Sequence, residues 1–137
     1  MRQTKAGRNC FLTGAGGTGN STQLGAFIAG CTSRVGVTAP TGVAALNVGG
    51  MSIHRFCGMM LDPAACQSNE DYFSQLQRDP RPSIKAGFNR VRCCEVLVID
   101  EISMLPGRQF EFVEFLFRRL RGRDGDVHRE PGSARWH

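Results

Sequence analysis

Phe11-Leu12-Thr13-Gly14-Ala15-Gly16-Gly17-Thr18-Gly19-Asn20-Ser21 decides how this chain is read, because an apolar stretch, a glycine-dense loop and a helix come in that order. Asn9 to Thr13 predicts a short buried strand. Beyond the loop, Leu24, Phe27, Ile28 and Cys31 fall at i, i+3, i+4 and i+7, one apolar stripe of a helix from about Ser21 to Cys31 that packs most simply on a sheet. In a strand–loop–helix unit of this kind, backbone N–H groups cradle phosphates, the helix dipole adds to the attraction, and a Lys-Ser/Thr pair completes the site. The GxxxxG spacing is met by Gly14 and Gly19, and Ser21 stands where the magnesium-binding hydroxyl belongs. Asn20 occupies the lysine position.

A second stretch answers the first. Val96-Leu97-Val98-Ile99 is an uninterrupted apolar run that ends in Asp100-Glu101, which predicts a central parallel strand, buried on both faces, with two carboxylates at its carboxyl end. After a phosphate loop, such an Asp holds Mg²⁺ and the neighbouring Glu orients or deprotonates the attacking water. The glycines also match GxGxxG (Gly14, Gly16, Gly19), so a dinucleotide-binding oxidoreductase is the alternative. That site wants a ribose-binding acid about 20 residues on, yet no Asp or Glu precedes Asp62, and the second strand ends in Thr38-Ala39-Pro40. Arg34 is the one residue there suited to a 2′-phosphate.

The chain is 137 residues long, 41% hydrophobic and 21% charged, which suits one modest domain with a packed core and excludes a disordered composition. No stretch approaches the roughly 20 consecutive apolar residues of a membrane span, and Met1 to Asn9 is polar and basic, so neither a span nor a secretory signal is expected. The six cysteines (10, 31, 57, 66, 93 and 94) show no paired CxxC units and no zinc spacing, and read as reduced core residues of an intracellular protein. Charge is uneven: residues 1–69 hold five basic residues and one acid, residues 70–117 come to −2, and residues 118–137 to +3. Of the 17 basic residues only Lys5 and Lys85 are lysines, an arginine excess that fits phosphate recognition or the base composition of the gene.

Elsewhere, Val35 to Ala39 predicts a second strand stopped by Pro40, and Thr41 to Leu46 a short helix capped by Thr41 and ended at Gly49-Gly50. Residues 62–90, rich in proline, read as a connecting region with a helix around Asp71 to Gln77. Pro106 opens a last helix with Phe110, Val113, Leu116, Phe117 and Leu120 at helical spacing and Phe112 and Phe115 on a second apolar edge. From Gly122 onward there is no hydrophobic periodicity.

With those residues in view, the chain resembles the Pif-type (petite integration frequency) DNA helicases, related to the RecD-like branch of helicase superfamily 1. Three blocks carry the likeness. Phe11 through Ser21 is similar to the family's first motif. Thr38-Ala39-Pro40-Thr41-Gly42-Val43-Ala44-Ala45-Leu46-Asn47-Val48-Gly49-Gly50 with Ser52-Ile53-His54 resembles its motif Ia, and is the most specific of the three. Val98-Ile99-Asp100-Glu101-Ile102-Ser103-Met104-Leu105 is similar to its second motif.

The resemblance implies an α/β P-loop NTPase fold, a RecA-like parallel sheet flanked by helices. Residues 8–121 are an incomplete lobe of it and residues 122–137 a disordered or unrelated tail. It implies an ATP-dependent helicase moving 5′ to 3′ on single-stranded DNA, in DNA repair, recombination or telomere and genome maintenance, in the nucleus or the mitochondrion. Carried onto this sequence, Gly14, Ala15, Gly16, Gly17, Thr18, Gly19, Asn20, Ser21 and Thr22 bind ATP, Ser21 and Asp100 hold Mg²⁺, and Asp100 and Glu101 are catalytic. Pro40, Thr41, Gly42 and His54 bind DNA, although a lone histidine after an isoleucine reads equally well as a packing residue. The family's adenine-reading glutamine, its third motif and its second lobe have no counterpart here. With Asn20 replacing the lysine, this polypeptide by itself is therefore expected not to unwind DNA, which leaves a non-catalytic nucleotide- or DNA-binding remnant as a further alternative.

Overall fold

The computed structural model describes residues 9–13, 19–60 and 63–122, which fall into two compact units, residues up to 32 and residues from 33 onward. In the first unit, helix α1 (Asn20–Ala29) starts directly after Gly19, whose φ of 83° lies in the left-handed region that favours glycine. Its first turn closes with Gln23 N–H donating to the Gly19 carbonyl at 3.0 Å. Leu24, Phe27 and Ile28 of the anticipated stripe are the half-buried side of the helix, while Thr22, Gln23, Gly25 and Ala26 are exposed; Cys31, also partly covered, lies beyond the helix, which Gly30 ends two residues earlier than expected. Residues 9–13 are not a strand, and they are exposed throughout, with Phe11 74% accessible. Three apolar side chains in a row supply β propensity, but a strand exists only where a neighbour completes its hydrogen-bond ladder.

The second unit runs β1 (Val35–Ala39), α2 (Gly42–Asn47), β2 (Met51–Ser52), α3 (Ile53–Cys57), a 3₁₀ turn (Pro63–Ala65), α4 (Asn69–Arg78), α5 (Pro82–Cys93), β3 (Val96–Ile99), a second 3₁₀ turn (Ile102–Met104) and α6 (Gly107–Arg121). The three strands form a parallel sheet in the order β2-β1-β3, with Thr38 opposite both Met51 and Ile99. Parallel strands require crossovers, and the helices supply them. Among the described strands β1, not β3, is the central one, and all four residues of β3 are half-buried rather than enclosed. Apolarity misranked the two because β1 is specified by fit. A Cβ on Gly36 would lie 2.4 Å from the Phe56 ring, and buried Thr38 places its hydroxyl 2.7 Å from the Val98 carbonyl, to which it donates.

Helices α4, α5 and α6 hold most of the core. Tyr72 packs on Phe112 (ring centroids 4.4 Å apart), and Phe73 lies 5.6 Å from Phe88 and 6.1 Å from Phe115, with Leu97 and Ile99 of the sheet resting against this cluster. Phe112 is thus fully buried rather than on a secondary edge, because α6 is covered along its Phe112-Val113-Leu116-Phe117-Leu120 face. Pro106 is the residue preceding α6, not its first turn. The region 62–90 is not mainly connector: α4 starts two residues before Asp71, capped by Ser68 whose Oγ accepts from Asp71 N–H at 3.1 Å, and α5 follows with Pro82 in its first turn. All six cysteines are free thiols, and no described helix is long and apolar enough to cross a membrane. The tail read from Gly122 onward lies outside the described residues, except for Gly122 itself, which ends α6.

Candidate functional site

A parallel sheet delivers all its carboxyl ends to one edge, and in an open α/β sheet that edge is where ligands bind. In the second unit those ends carry the residues singled out in the sequence. β1 runs into half-buried Pro40 and exposed Thr41 and Gly42, β2 into Ser52, Ile53 and His54, and β3 into Asp100 and Glu101. The register aligns them. Ala39 is opposite Ser52, Thr38 is opposite Ile99, and the Asp100 N–H donates to the Thr38 carbonyl at 2.8 Å, so the first carboxylate is anchored to the strand leading to the Pro40 loop.

Local sequence explains each turn. Thr41, extended at φ −117°, caps α2 by accepting from Ala44 N–H at 3.2 Å. Ser52 caps α3 in the same way through Arg55 N–H at 3.4 Å, which leaves half-buried His54 in the first turn of that helix. Glu101 is the only residue other than glycine with positive φ among those described, at 52°. It sits before the 3₁₀ turn and accepts from Met104 N–H at 2.9 Å. Left-handed backbone at a glutamate costs about 1 kcal/mol and persists where the surroundings over-determine it, a pattern common at active sites. Asp100 is half-buried, Glu101 is exposed, and neither carboxylate is in an ion pair among the described residues.

On the phosphate-loop side, Gly14, Ala15, Gly16, Gly17 and Thr18 lie outside the described residues, while Gly19, Asn20, Ser21 and Thr22 form the cap and first turn of α1 in the other unit. The helix thus begins where the loop reading requires it to begin. Two residues escaped that reading. Thr38 is the only buried polar residue among the described residues and ties β1 to β3. Arg90 of α5 donates to main-chain oxygens of α3. Thr38 opens the block likened to motif Ia without a role assigned to it there, Arg90 lies outside all three blocks, and α5 is hidden by its prolines, although Ile84, Phe88 and Val91 at i, i+4 and i+7 behind Pro82 mark it as a helix.

A PIF1-like helicase family model matches residues 2–131. The chain belongs to the PIF1-like helicase family. Among curated members it is 43% identical to the ATP-dependent DNA helicase PIF7 of Trypanosoma brucei brucei over 117 residues, 84% of this chain and 11% of that protein. It is 34% identical to the ATP-dependent DNA helicase PIF1 of Xenopus laevis over 120 residues, 87% of this chain and 18% of that protein. In structure it matches the crystal structure of Pif1 helicase from Candida albicans with a TM-score of 0.72 at 34% identity, covering 88% of this chain and 27% of that one. The chain therefore spans under a fifth of the length of these two curated relatives, and its parallel sheet with flanking helices is that of the Pif1 helicase fold. The family assignment removes the dinucleotide-binding alternative.

Proposed function

We propose that this chain is the nucleotide- and DNA-handling part of an ATP-dependent 5′–3′ DNA helicase of the PIF1-like family, serving DNA repair, recombination or telomere and genome maintenance with MgATP and single-stranded DNA as its ligands. The observation that supports this most directly is the convergence of Pro40–Gly42, His54 and Asp100-Glu101 at one end of a three-stranded parallel sheet. In this arrangement a change at the acid pair reaches the Pro40 loop through β1, because Thr38 bonds both to Asp100 and to Val98.

The donors suit magnesium. Asp100 offers a hard carboxylate oxygen of the kind magnesium takes beside substrate phosphates. Asp100 is the described residue that would hold it, the family resemblance alone adds Ser21, and Mg²⁺ when bound would neutralise phosphate charge. Glu101, its direction set by the left-handed backbone, orients the attacking water. Pro40, Thr41, Gly42 and His54 meet the DNA strand without reading bases, as a translocating protein requires. An asparagine can offer only a neutral hydrogen bond where the family motif has a lysine, and removal of one such charge costs about 10²–10³-fold in rate. That substitution favours, as a second reading, a remnant that binds nucleotide or DNA without turnover.

Calorimetric titration of MgATP into the folded chain and its Asn20→Lys variant tests the proposal, together with anisotropy of a labelled oligo-dT. Binding strengthened by Asn20→Lys, with hydrolysis appearing in the variant, supports a phosphate loop disabled at one residue. Absence of binding in both folded proteins refutes the nucleotide role. The resemblance to the family supports a nuclear or mitochondrial location, which imaging of the tagged chain would decide.

A further inference from the structure

α3 has five residues, too few for its own hydrogen bonds to hold it, so its orientation is set by what grips its ends. At its start, Ser52 belongs to β2 and caps the helix. At its end three carbonyls need partners. Met59 N–H donates to the His54 carbonyl at 2.8 Å, and Gly58 N–H reaches the Arg55 carbonyl at 3.4 Å. The guanidinium of Arg90 does the rest, with Nη2 donating to the Arg55 carbonyl at 2.5 Å and Nε to the Phe56 carbonyl at 3.1 Å, while its carbon lies 6.0 Å from the centroid of the Phe56 ring.

Arg90 takes part in no ion pair among the described residues. Its half-buried charge goes instead to main-chain oxygens at a helix end, where a cation is favoured and a planar fork fixes geometry as a lysine cannot. One turn earlier on α5, Gly87 lies against the backbone of Gly58 so closely that a Cβ there would stand 2.3 Å from its nitrogen. α3 is thus gripped at two points by α5 and at one by the sheet, and His54 lies between those grips.

We propose that Arg90 is a positioning residue, holding α3 in the orientation that presents His54 at the carboxyl end of the sheet. The proposal rests on the reading of His54 as a DNA contact, and its test separates the two. In the full chain, the imidazole resonance of His54 is identified by its loss in His54→Ala and then followed in Arg90→Gln, in Arg90→Lys and in Val113→Ala, a core change on α6. The resonance should move in Arg90→Gln, move less in Arg90→Lys, and stay in place in Val113→Ala even though that variant is also less stable. Affinity for oligo-dT should fall about fivefold in Arg90→Gln, the effect of losing one ordinary contact. It should fall no further when His54→Ala is added to Arg90→Gln. An unmoved His54 resonance in a folded Arg90 variant, or additive losses in the double variant, would overturn the proposal. Should Arg90→Gln fail to fold, Arg90→Lys, which keeps the charge and loses the fork, decides by the same resonance. A parent chain without affinity for oligo-dT would sink the DNA reading of His54 while the resonance still decides the role of Arg90.

Discussion

Replacing Gly87 by alanine places a methyl group where there is no room for one. Its Cβ would stand 2.3 Å from the Gly58 nitrogen, 2.5 Å from the Gly58 Cα and 2.6 Å from the Cys57 carbonyl carbon. All three are main-chain atoms, so no rotamer change relieves the clash. The backbones must part by about 1 Å to restore ordinary contact, and overpacking of that kind costs about 1–3 kcal/mol. Alanine returns about 0.8–1 kcal/mol through its better helix propensity. Because only movement of main chain relieves the clash, the cost lies in the upper part of that range, about 2–3 kcal/mol, and the net loss of about 1–2 kcal/mol corresponds to a Tm lower by roughly 4–16 °C for a unit of this size. Gly25→Ala is the control, since it lies inside α1 with nothing within 4 Å of the added Cβ, and it should stabilise by about 0.5–1 kcal/mol. Thermal and urea unfolding followed by circular dichroism measure both. A Gly87→Ala chain that melts at or above the parent would refute the close approach of α3 and α5, and with it the placement of α3 between two fixed ends.

The other predictions concern the thiols and the acid pair. Burial, reinforced by Cys94 and partly offset by Arg90, pushes the Cys57 thiol from 9.0 up to about 12. Because the folded state holds that proton more tightly than the unfolded chain, its contribution to stability is complete below pH 9 and is lost between about pH 9 and 12. Cys57→Ala should therefore flatten the alkaline limb of a stability-against-pH curve, and an unchanged limb would count against the burial. Alkylation followed by mass spectrometry should label exposed Cys10 and Cys93 first and buried Cys57 and Cys94 last, since the reactive form is the accessible thiolate. Glu101→Asn should raise the melting temperature, because asparagine tolerates the left-handed backbone that costs glutamate about 1 kcal/mol, while abolishing the hydrolysis gained by Asn20→Lys. A lower melting temperature would mean that the backbone at residue 101 is not strained.

The chemistry of the site was more legible in the sequence than the frame that holds it. Thr41 and Ser52 announce their caps, and an apolar run ending in two acids announces a strand end, because local hydrogen bonding and strand apolarity are written in neighbouring residues. Sequence order among strands is not, so the more apolar β3 was read as central, when Gly36 and Thr38 fit β1 to that place through the ring of Phe56 and the carbonyl of Val98. Asn9 to Thr13 shows the converse error, since β propensity does not by itself create a partner strand. α5 is masked in the sequence because Pro80, Pro82 and interspersed charges interrupt its apolar spacing. Its decisive residues, Gly87 and Arg90, act on a helix some 30 residues earlier in the chain, a relation that periodicity cannot express.

The strand order also dictates when the site can come into being. Thr38 and its β2 partner Met51 are 13 residues apart in the chain, whereas Val35 and its β3 partner Val96 are separated by 61. Closing the longer loop costs roughly 1.4 kcal/mol more in chain entropy, and it must wait until α4 and α5 have emerged from synthesis. During translation the Pro40 loop can therefore take its place beside β2 before Asp100 and Glu101 exist, whereas His54 must wait for Gly87 and Arg90 of α5 to fix α3. The acid pair arrives on the last of the described strands to join, so the carboxylates are the final residues to be set at this edge of the sheet.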